Sequence, residues 1–264
     1  MIANVSILLC SSLCVFYLGL NVFALLRADA MIFPAPPSSY SEGDPIFMLE
    51  ADTGEQIATD FLAASGEDSG ALLIYSHGNG EDIGELRPFL KSFTEQGISV
   101  LAYDYPGYGQ SSGQASEAGC YAAIEAVYRH ATTELGFSSK QIILYGSSLG
   151  SGPSVWLATR EAVGGLILKG AFTSTFRVLT RIKMLPWDRF DNLKRLPDVD
   201  CPVLLIHGVE DLTVPFSHAL KNWAVISAPK QKLFVDEAGH NGIIEQAGQA
   251  YWDQVIPFIL ENSP

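Results

Sequence analysis

The chain alternates short apolar runs of strand length with longer segments of helical pattern, and this alternation constrains the fold more than any other feature. The predicted strands are apolar at nearly every position, which is typical of a parallel sheet covered by helices on both faces. The predicted strands are Ala71–Ser76, Ile98–Tyr103, Gln141–Tyr145, Gly165–Lys169, Val203–His207 and Lys232–Asp236. The predicted helices are Gly84–Gln96, Ser116–Leu135, Ser151–Arg160, Phe216–Ser227 and Gly242–Leu260, the last disturbed at Pro257. We therefore expect an α/β fold with a mostly parallel central sheet.

Two further β-like runs precede these strands. Pro45–Glu50 and Gln56–Ala63 flank the turn sequence Asp52-Thr53-Gly54, and they predict a hairpin at the edge of the sheet. An insert of about thirty residues, Ala171 to Asp200, interrupts the alternation later in the chain.

Composition limits the classes of partner. The 264 residues include 16 basic and 29 acidic side chains, which gives a formal net charge of −13. This charge opposes binding to nucleic acid, and the sequence offers no polybasic patch for anionic lipid. No oligomeric state is indicated.

No metal site, cofactor site or disulfide framework is predicted. Cys120 and Cys201 stand alone in the sequence and are expected to be small buried side chains, while Cys10 and Cys14 lie in an apolar N-terminal segment. The five histidines show no paired metal-ligand spacing. The glycines around Tyr105 to Gly109 do not follow a nucleotide-binding pattern.

The N-terminal segment has the length of a membrane span. No charged residue occurs from Val5 to Leu26, and a helix of about 22 residues would be about 33 Å long, enough to cross the hydrocarbon of a bilayer. A cleaved signal peptide is an alternative, because Ala28-Asp29-Ala30 resembles a cleavage site, and so is a buried core helix. A retained span would anchor the protein to a membrane, whereas cleavage would give an exported soluble protein. Arg27 alone does not set the side of the membrane.

The chain is expected to have three parts. Residues 1–30 would form the anchor or signal, and residues 45–264 would form one catalytic domain. Residues 31–44 are rich in proline and serine, so they are expected to be a linker that holds the domain away from the bilayer.

Ser148 lies at the centre of a Gly-x-Ser-x-Gly pattern, Gly146 to Gly150, between a predicted strand and a predicted helix. This context is that of a nucleophile elbow, where the chain reverses so sharply that only glycine fits beside the serine. The same pattern also occurs in ordinary loops, so its meaning depends on a base and an acid elsewhere in the chain. Ser147 occupies a variable position of the pattern and is not the candidate nucleophile.

Asp211 and His240 each follow a predicted strand and are the candidate acid and base. Because the carboxyl ends of parallel strands meet at one edge of a sheet, we expect both residues to lie near Ser148. The order Ser148, Asp211, His240 is that of α/β-hydrolases and differs from the orders in chymotrypsin and subtilisin. His240 would take the proton of Ser148, and Asp211 would orient the imidazole. Glu210 and Asp236 are rival acids.

Acyl transfer also needs N–H donors for the oxygen that becomes negative in the transition state. The backbone N–H of Leu149 is one candidate, because it lies at the start of the helix after the elbow. The second is expected in the loop His77-Gly78-Asn79-Gly80, where Asn79 is the candidate and Gly80 the alternative. His77 itself is interpreted as a structural residue that supports this loop.

Several segments together resemble the α/β-hydrolase superfamily, and the resemblance covers about Pro45 to Leu260. These segments are Gly146-Ser147-Ser148-Leu149-Gly150, His77-Gly78-Asn79-Gly80, Asp104-Tyr105-Pro106-Gly107-Tyr108-Gly109-Gln110-Ser111-Ser112-Gly113, His207-Gly208-x-x-Asp211 and Gly239-His240-Asn241. Ala171-Phe172-Thr173-Ser174 and Arg189-Phe190-Asp191-Asn192-Leu193 look more narrowly like membrane-anchored abhydrolase-domain proteins, a group with lysophospholipid lipases and protein depalmitoylases. The resemblance implies an α/β-hydrolase fold, here with a short cap insert, since residues 171–200 are too few for the helical cap of many lipases.

The expected function is that of a serine hydrolase that cleaves acyl esters or thioesters through an acyl-Ser148 intermediate. A small-molecule or lipid acyl compound, or a lipidated protein at a membrane, would be the substrate. Amide hydrolysis, as in the serine-aminopeptidase-like branch of the superfamily, is the first alternative. A non-catalytic anchored binding module that has kept the fold is the second.

Overall fold

The computed structural model describes residues 2–41 and 43–264, with side chains from Leu9 onward. Met1, Glu42 and the side chains of residues 2–8, which belong to the predicted anchor and linker, lie outside this description. The strands of the described part are β1 Ile46–Glu50, β2 Gln56–Leu62, β3 Leu72–Ser76, β4 Ser99–Tyr103, β5 Ile142–Ser147, β6 Gly165–Lys169, β7 Val203–Gly208 and β8 Lys230–Val235. They form one sheet in the order β1-β2-β4-β3-β5-β6-β7-β8.

The sheet is mostly parallel, as the apolar runs predicted. Strands β3 to β8 pair in parallel, and the antiparallel strands β1 and β2 form a hairpin at one edge. The central strands β3 and β5 are buried at every position, so their side chains face helices on both sides. The predicted α/β fold is therefore confirmed.

The helices of the described part are α1 Ile2–Ile32, α2 Ile83–Thr94, α3 Glu117–Thr133, α4 Ser151–Ala158, α5 Thr175–Thr180, α6 Asn192–Arg195, α7 Ser217–Val225, α8 Ile243–Ala247 and α9 Gln249–Asn262. Two of them, α5 and α6, lie in the insert, where no helix was predicted. The last predicted helix is divided into α8 and α9 at Gly248, which has φ 54° and ψ −130°, whereas Pro257 lies inside α9 without ending it. The predicted place of the disturbance was wrong, because glycine reaches this backbone conformation more easily than other residues do.

Two hydrophobic cores cover the faces of the sheet. One core includes buried residues of α3, α4 and α7, together with Ala28 and Ile32 of α1. The other includes buried residues of α2, α8 and α9. Because Ala28 and Ile32 belong to the first core, the end of α1 is packed into it.

Cys120 and Cys201 are free and buried, as predicted.

The segment after α1 also contacts the loops that follow β3 and β4. Ser39 donates its backbone N–H and its hydroxyl to Asp82, and the Tyr40 hydroxyl donates to Asp104. Residues 31–44 were expected to be a linker that holds the domain away from the bilayer. These contacts between the segment and the rest of the chain do not fit that expectation. The buried carboxylates of Asp82 and Asp104 accept hydrogen bonds from the segment, an effect that composition alone does not reveal. The predicted division of the chain into three parts stays a prediction.

Leu9–Ile32 is a segment of α1 that is long and apolar enough to cross a membrane, with 24 residues and a mean hydropathy of 2.0. Apolar side chains are exposed along much of its length, and they include Phe16, Val22, Phe23, Leu25 and Leu26. Only length and composition identify this segment as a candidate membrane span, and a signal sequence has the same two properties.

His218 is a buried histidine that packs against the start of the insert. His218 accepts the backbone N–H of Thr173 at its Nδ1 atom, at 3.1 Å. Burial, with a contribution from the nearby charge of Lys221, lowers the pKa of His218 from 6.5 to about 4. The unfolded chain therefore binds a proton at a higher pH than the folded chain does.

We expect the contribution of His218 to stability to be present above pH 6.5 and to be lost as the pH falls toward 4. Between pH 7.5 and pH 5 the loss should be about 2 kcal/mol of unfolding free energy. Urea unfolding of detergent-solubilised wild type and His218→Gln at both pH values measures it, because the variant lacks this titration. An equal pH dependence in the two proteins would contradict the assignment.

Candidate active site

Ser148 lies in a tight turn between β5 and α4. Its φ of 50° is in the left-handed region, which costs about 1–3 kcal/mol for a residue with a side chain. A Cβ atom added at Gly146 would lie 2.6 Å from the carbonyl oxygen of Gly150, and one added at Gly150 would overlap the carbonyl oxygen of Ser76. Both glycines of the pattern are therefore required by close backbone contacts, as predicted for an elbow.

The structure brings Ser148, His240 and Asp211 into one chain of contacts. The Nε2 atom of His240 is 2.9 Å from Ser148 Oγ, and its Nδ1 atom is 2.6 Å from Asp211 Oδ2. Asp211 lies in the loop after β7 and His240 in the loop after β8, at the same edge of the sheet as the elbow. The rival acids, Glu210 and Asp236, are exposed.

Asp211 is held as a carboxylate. Its Oδ1 atom accepts the backbone N–H groups of Thr213 and Val214, at 2.9 and 2.7 Å. Burial by itself would raise the pKa of Asp211, but the hydrogen bond and charge of His240 and the N–H of Val214 keep it below its usual value. A charged Asp211 favours the tautomer of His240 that carries a proton on Nδ1, which leaves Nε2 free to accept from Ser148.

A second histidine, His207, lies behind the acid. Its Nε2 atom is 2.9 Å from the carbonyl oxygen of Val214 and 3.5 Å from Asp211 Oδ2. Burial lowers the pKa of His207, so the neutral ring donates to Val214 and supports the loop that carries Asp211.

The loop after β3 lies against the nucleophile. A Cβ atom added at Gly78 would be 3.8 Å from Ser148 Cβ, and the N–H of Gly78 is occupied by Glu81 Oε1 at 2.7 Å. Asn79 is held from two sides: the Tyr108 hydroxyl donates to its carbonyl oxygen, and its side-chain amide donates to the carbonyl oxygen of Ile32. Asn79, Gly80 and Leu149 line the same cavity as Ser148, while their assignment as oxyanion donors stays a prediction.

His77 packs against the loop that follows β3. It is fully buried, its Nδ1 is 2.6 Å from the carbonyl oxygen of Gly78, and its Nε2 is 3.2 Å from Asp104 Oδ1. Burial by itself would lower the pKa of His77, but the carboxylate of Asp104 raises it above its usual value. These contacts fit the structural interpretation of His77.

A cavity of about 640 Å³ opens in front of Ser148 and His240. Its apolar wall comes from α1 and from the insert, and it contains Met31, Ile32, Phe172, Phe176, Val178 and Leu179. Charged residues also line it, namely Glu81, Glu85 and Lys169. Burial lowers the pKa of Lys169, which lies at the end of β6. Sequence reasoning missed Met31 and Ile32 as cavity residues, because both were assigned to a linker. It also missed Glu81, Glu85 and Lys169, which no motif marks.

Within residues 2–41 and 43–264, no cluster of three or more His, Cys, Asp or Glu side chains could hold a metal ion.

Comparison with known proteins identifies one matching family model and several relatives that are similar in sequence. A family model described as serine aminopeptidase, S33, matches residues 67–192. The α/β hydrolase domain-containing protein 17B of Homo sapiens is 36% identical over 219 residues, which are 82% of this chain and 75% of that protein. The α/β hydrolase domain-containing protein aho-3 of Caenorhabditis elegans is 37% identical over 190 residues, or 71% of this chain and 57% of that protein.

Solved structures share the fold at low sequence identity. An esterase of Pyrococcus furiosus has a TM-score of 0.71 and 15% identity, and the match covers 87% of this chain and 97% of the esterase. An esterase of Exiguobacterium antarcticum has a TM-score of 0.64 and 17% identity, with coverage of 80% and 98%. At these identities the likeness concerns the fold alone.

The close contact at Gly150 leads to a testable prediction. Gly150→Ala should lower the free energy of unfolding by about 2–3 kcal/mol, because the methyl group must displace the backbone at Ser76. The same displacement should move Ser148 away from His240 and slow its reaction with a fluorophosphonate. Gly242→Ala is the matched control, because no atom lies within 4 Å of its added Cβ. Equal stability and labelling of the two variants would show that the contact does not hold the elbow.

Proposed function

Because the chain belongs to the α/β-hydrolase superfamily, we propose that it is a serine hydrolase that cleaves acyl esters or thioesters through an acyl-Ser148 intermediate. The observation that carries the proposal is the chain of contacts from Ser148 Oγ through His240 to Asp211, at 2.9 and 2.6 Å. These are the distances at which a histidine can take a proton from a serine hydroxyl while a carboxylate holds the ring.

The proposed reaction has two halves. In the first, Ser148 Oγ attacks the acyl carbon as His240 Nε2 takes its proton, and the carbonyl oxygen becomes an oxyanion facing the N–H groups of Asn79 and Leu149. The bond to the leaving alcohol or thiol then breaks, and His240 returns the proton to that group. In the second half, water attacks the acyl-Ser148 ester while His240 takes a proton from the water. Ser148 recovers its proton from His240, and the carboxylic acid leaves.

We also propose that α1 anchors the protein to a membrane, so that lipids or lipidated proteins are within reach of the site. Support comes from the 24-residue apolar segment of α1 and from the apolar wall of the cavity. Ala28 is 1% exposed and packs in the first core, so cleavage near Ala30 would remove part of that core. A retained helix therefore fits the packing better than a cleaved signal. The three-part division, with a domain from about residue 45, belongs to the same proposal.

Amide hydrolysis is the second candidate. The carboxylates of Glu81 and Glu85 line the cavity and could bind the free amino group of an aminoacyl substrate. Turnover of matched acyl esters and aminoacyl amides decides between the two activities. A higher turnover of the amides would favour the aminopeptidase-like reaction.

Ser148→Ala should abolish both the turnover of short acyl esters and covalent labelling by a fluorophosphonate, because the attacking oxygen is removed. Ser147→Ala should retain labelling, since the hydroxyl of Ser147 is not in contact with His240 in the proposed site. Labelling that persists in Ser148→Ala would refute the proposed nucleophile. A folded wild-type protein that is neither labelled nor active would instead support a binding module without catalysis.

Asp211→Asn should lower kcat by about 10⁴-fold, because the amide favours the opposite tautomer of His240 and cannot stabilise the imidazolium. Glu210→Gln, at the adjacent exposed acid, is the matched control and should change kcat little. Steady-state hydrolysis of a soluble ester measures both variants. A similar loss of kcat in Glu210→Gln would contradict the assignment of Asp211 as the acid that orients His240.

A further inference from the structure

Lys169 is a partly buried cation in the wall of the active-site cavity, at the end of β6. Within residues 2–41 and 43–264, no side chain or backbone group forms a hydrogen bond or an ion pair with its ammonium group, although the charges of Glu81, Glu245 and Asp211 act on it. Removing a cation from water without a bonded counter-ion is costly. Ionisable groups that are strained in this way and lie in a cleft are candidates for a functional role.

The carboxylates that act on Lys169 are engaged elsewhere. Glu81 accepts a backbone N–H of the loop after β3, at 2.7 Å. Both oxygens of Asp211 are bonded, one to its own loop and one to His240. Glu245 is exposed to solvent. The ammonium group of Lys169 can therefore donate to a group that comes from outside the chain.

Lys169 lies close to both reacting side chains. In the pairing of β5 with β6 it is the partner of Ser147, the residue before the nucleophile Ser148. A Cβ atom added at the next residue, Gly170, would lie 2.9 Å from Cε1 of His240. The backbone at Lys169 thus lies beside the elbow and against the ring of the base.

The order of the strands separates the charges of the cavity. The two glutamates of the cavity follow β3, on one side of the elbow after β5, whereas Lys169, Thr213 and Asn241 come from the ends of β6, β7 and β8 on the other side. Within the described part of the chain, the side chains of Thr213 and Asn241 are not engaged in hydrogen bonds either. An anion would therefore be attracted to the side of β6 to β8 and repelled from the side of β3.

The side of β6 to β8 is also the side of the leaving group. His240 must return a proton to the leaving atom, so the alcohol or thiol that leaves lies next to its Nε2 atom. His240 follows β8, on the same side of the elbow as Lys169. A substituent of the leaving group can thus reach Lys169, while the apolar wall from α1 and the insert suits the acyl chain.

We propose that Lys169 selects substrates whose leaving alcohol or thiol carries a singly charged anion, a carboxylate or a phosphodiester, and that Thr213 and Asn241 donate further hydrogen bonds to it. One cation with two neutral donors matches a single negative charge, and the glutamates of the cavity repel a dianion. This inference rests on the proposed hydrolysis through acyl-Ser148, and it adds the class of leaving group.

Butyryl thioesters of mercaptoethanol, thioglycolate and thiocholine test the selection, because their leaving thiols are neutral, anionic and cationic. Lys169→Met keeps the apolar stem and removes the charge. It should lower kcat/KM for the thioglycolate ester about 10- to 100-fold, the loss of one hydrogen bond between charged groups, and lower that for the neutral ester less than about threefold. The thiocholine ester should not lose turnover. Each thioester is compared between wild type and variant, so the different reactivities of the thiols cancel.

Two further variants serve as controls. Lys169→Arg retains the charge and should keep the preference for the thioglycolate ester over the neutral one. Lys140→Met removes an exposed lysine before β5, at the opposite end of the sheet, and should change none of the three rates. An equal loss on all three thioesters in Lys169→Met, or no loss on the thioglycolate ester, would overturn the proposal.

Binding of thioethers, which cannot be hydrolysed, separates this inference from the proposed function. Butylthioacetate and the neutral butylthioethanol are titrated into the detergent-solubilised full chain by calorimetry. Wild type should bind the anion about tenfold more tightly than the neutral compound, and Lys169→Met should not. A preference that persists in a protein without turnover or fluorophosphonate labelling would refute the hydrolase and support the anion site.

The same titration distinguishes the two anions. The methyl phosphodiester of butylthioethanol is compared with butylthioacetate in wild type and in Lys169→Met. The anion with the larger loss of affinity in Lys169→Met is the one that Lys169 selects. If wild type binds neither anion more tightly than the neutral thioether, the anion site is refuted even where the thioesters are cleaved.

Discussion

The contact between Gly150 and the carbonyl oxygen of Ser76 determines how the site is assembled. It brings the turn after β5 against the end of β3, so the segment that carries Ser148 and the loop from His77 to Gly80 are fixed relative to one another. A side chain at position 150 would separate them. Attack and stabilisation of a developing charge need donors within about 3 Å of the reacting atoms, so a small separation here would be costly.

The other half of the site depends on Asp211. This carboxylate is 3% exposed, and a charge in that position is stable only when its oxygens are fully bonded. Two backbone N–H groups and the His240 ring supply those bonds, and His207 supports the loop from behind. The same interactions that stabilise the charge also orient His240, so positioning and stabilisation have one physical origin.

The sequence predicts those parts of the molecule that depend on local pattern. Apolar runs predicted the parallel sheet, and the position of Asp211 and His240 after successive strands predicted that both lie near Ser148. It did not predict α5 or the charged residues of the cavity, because a short helix in an irregular insert has little periodicity. Glu81 and Lys169 line the cavity because segments far apart in the sequence meet there in the fold. No spacing pattern in the sequence predicts such a meeting.

The segment from Met31 to Tyr40 shows why composition was misleading there. Proline and serine are typical of free linkers, but here the backbone N–H and the hydroxyl of Ser39 both donate to Asp82. Ile32 ends α1, and the carbonyl oxygens of a last helical turn have no partner within the helix. The side-chain amide of Asn79 donates to one of them, while the backbone of Asn79 faces the cavity of Ser148. The residue that donates to the end of this helix is therefore the same residue that we propose as an oxyanion donor. Movement of α1 relative to the rest of the chain would therefore also displace Asn79, which is a proposed oxyanion donor.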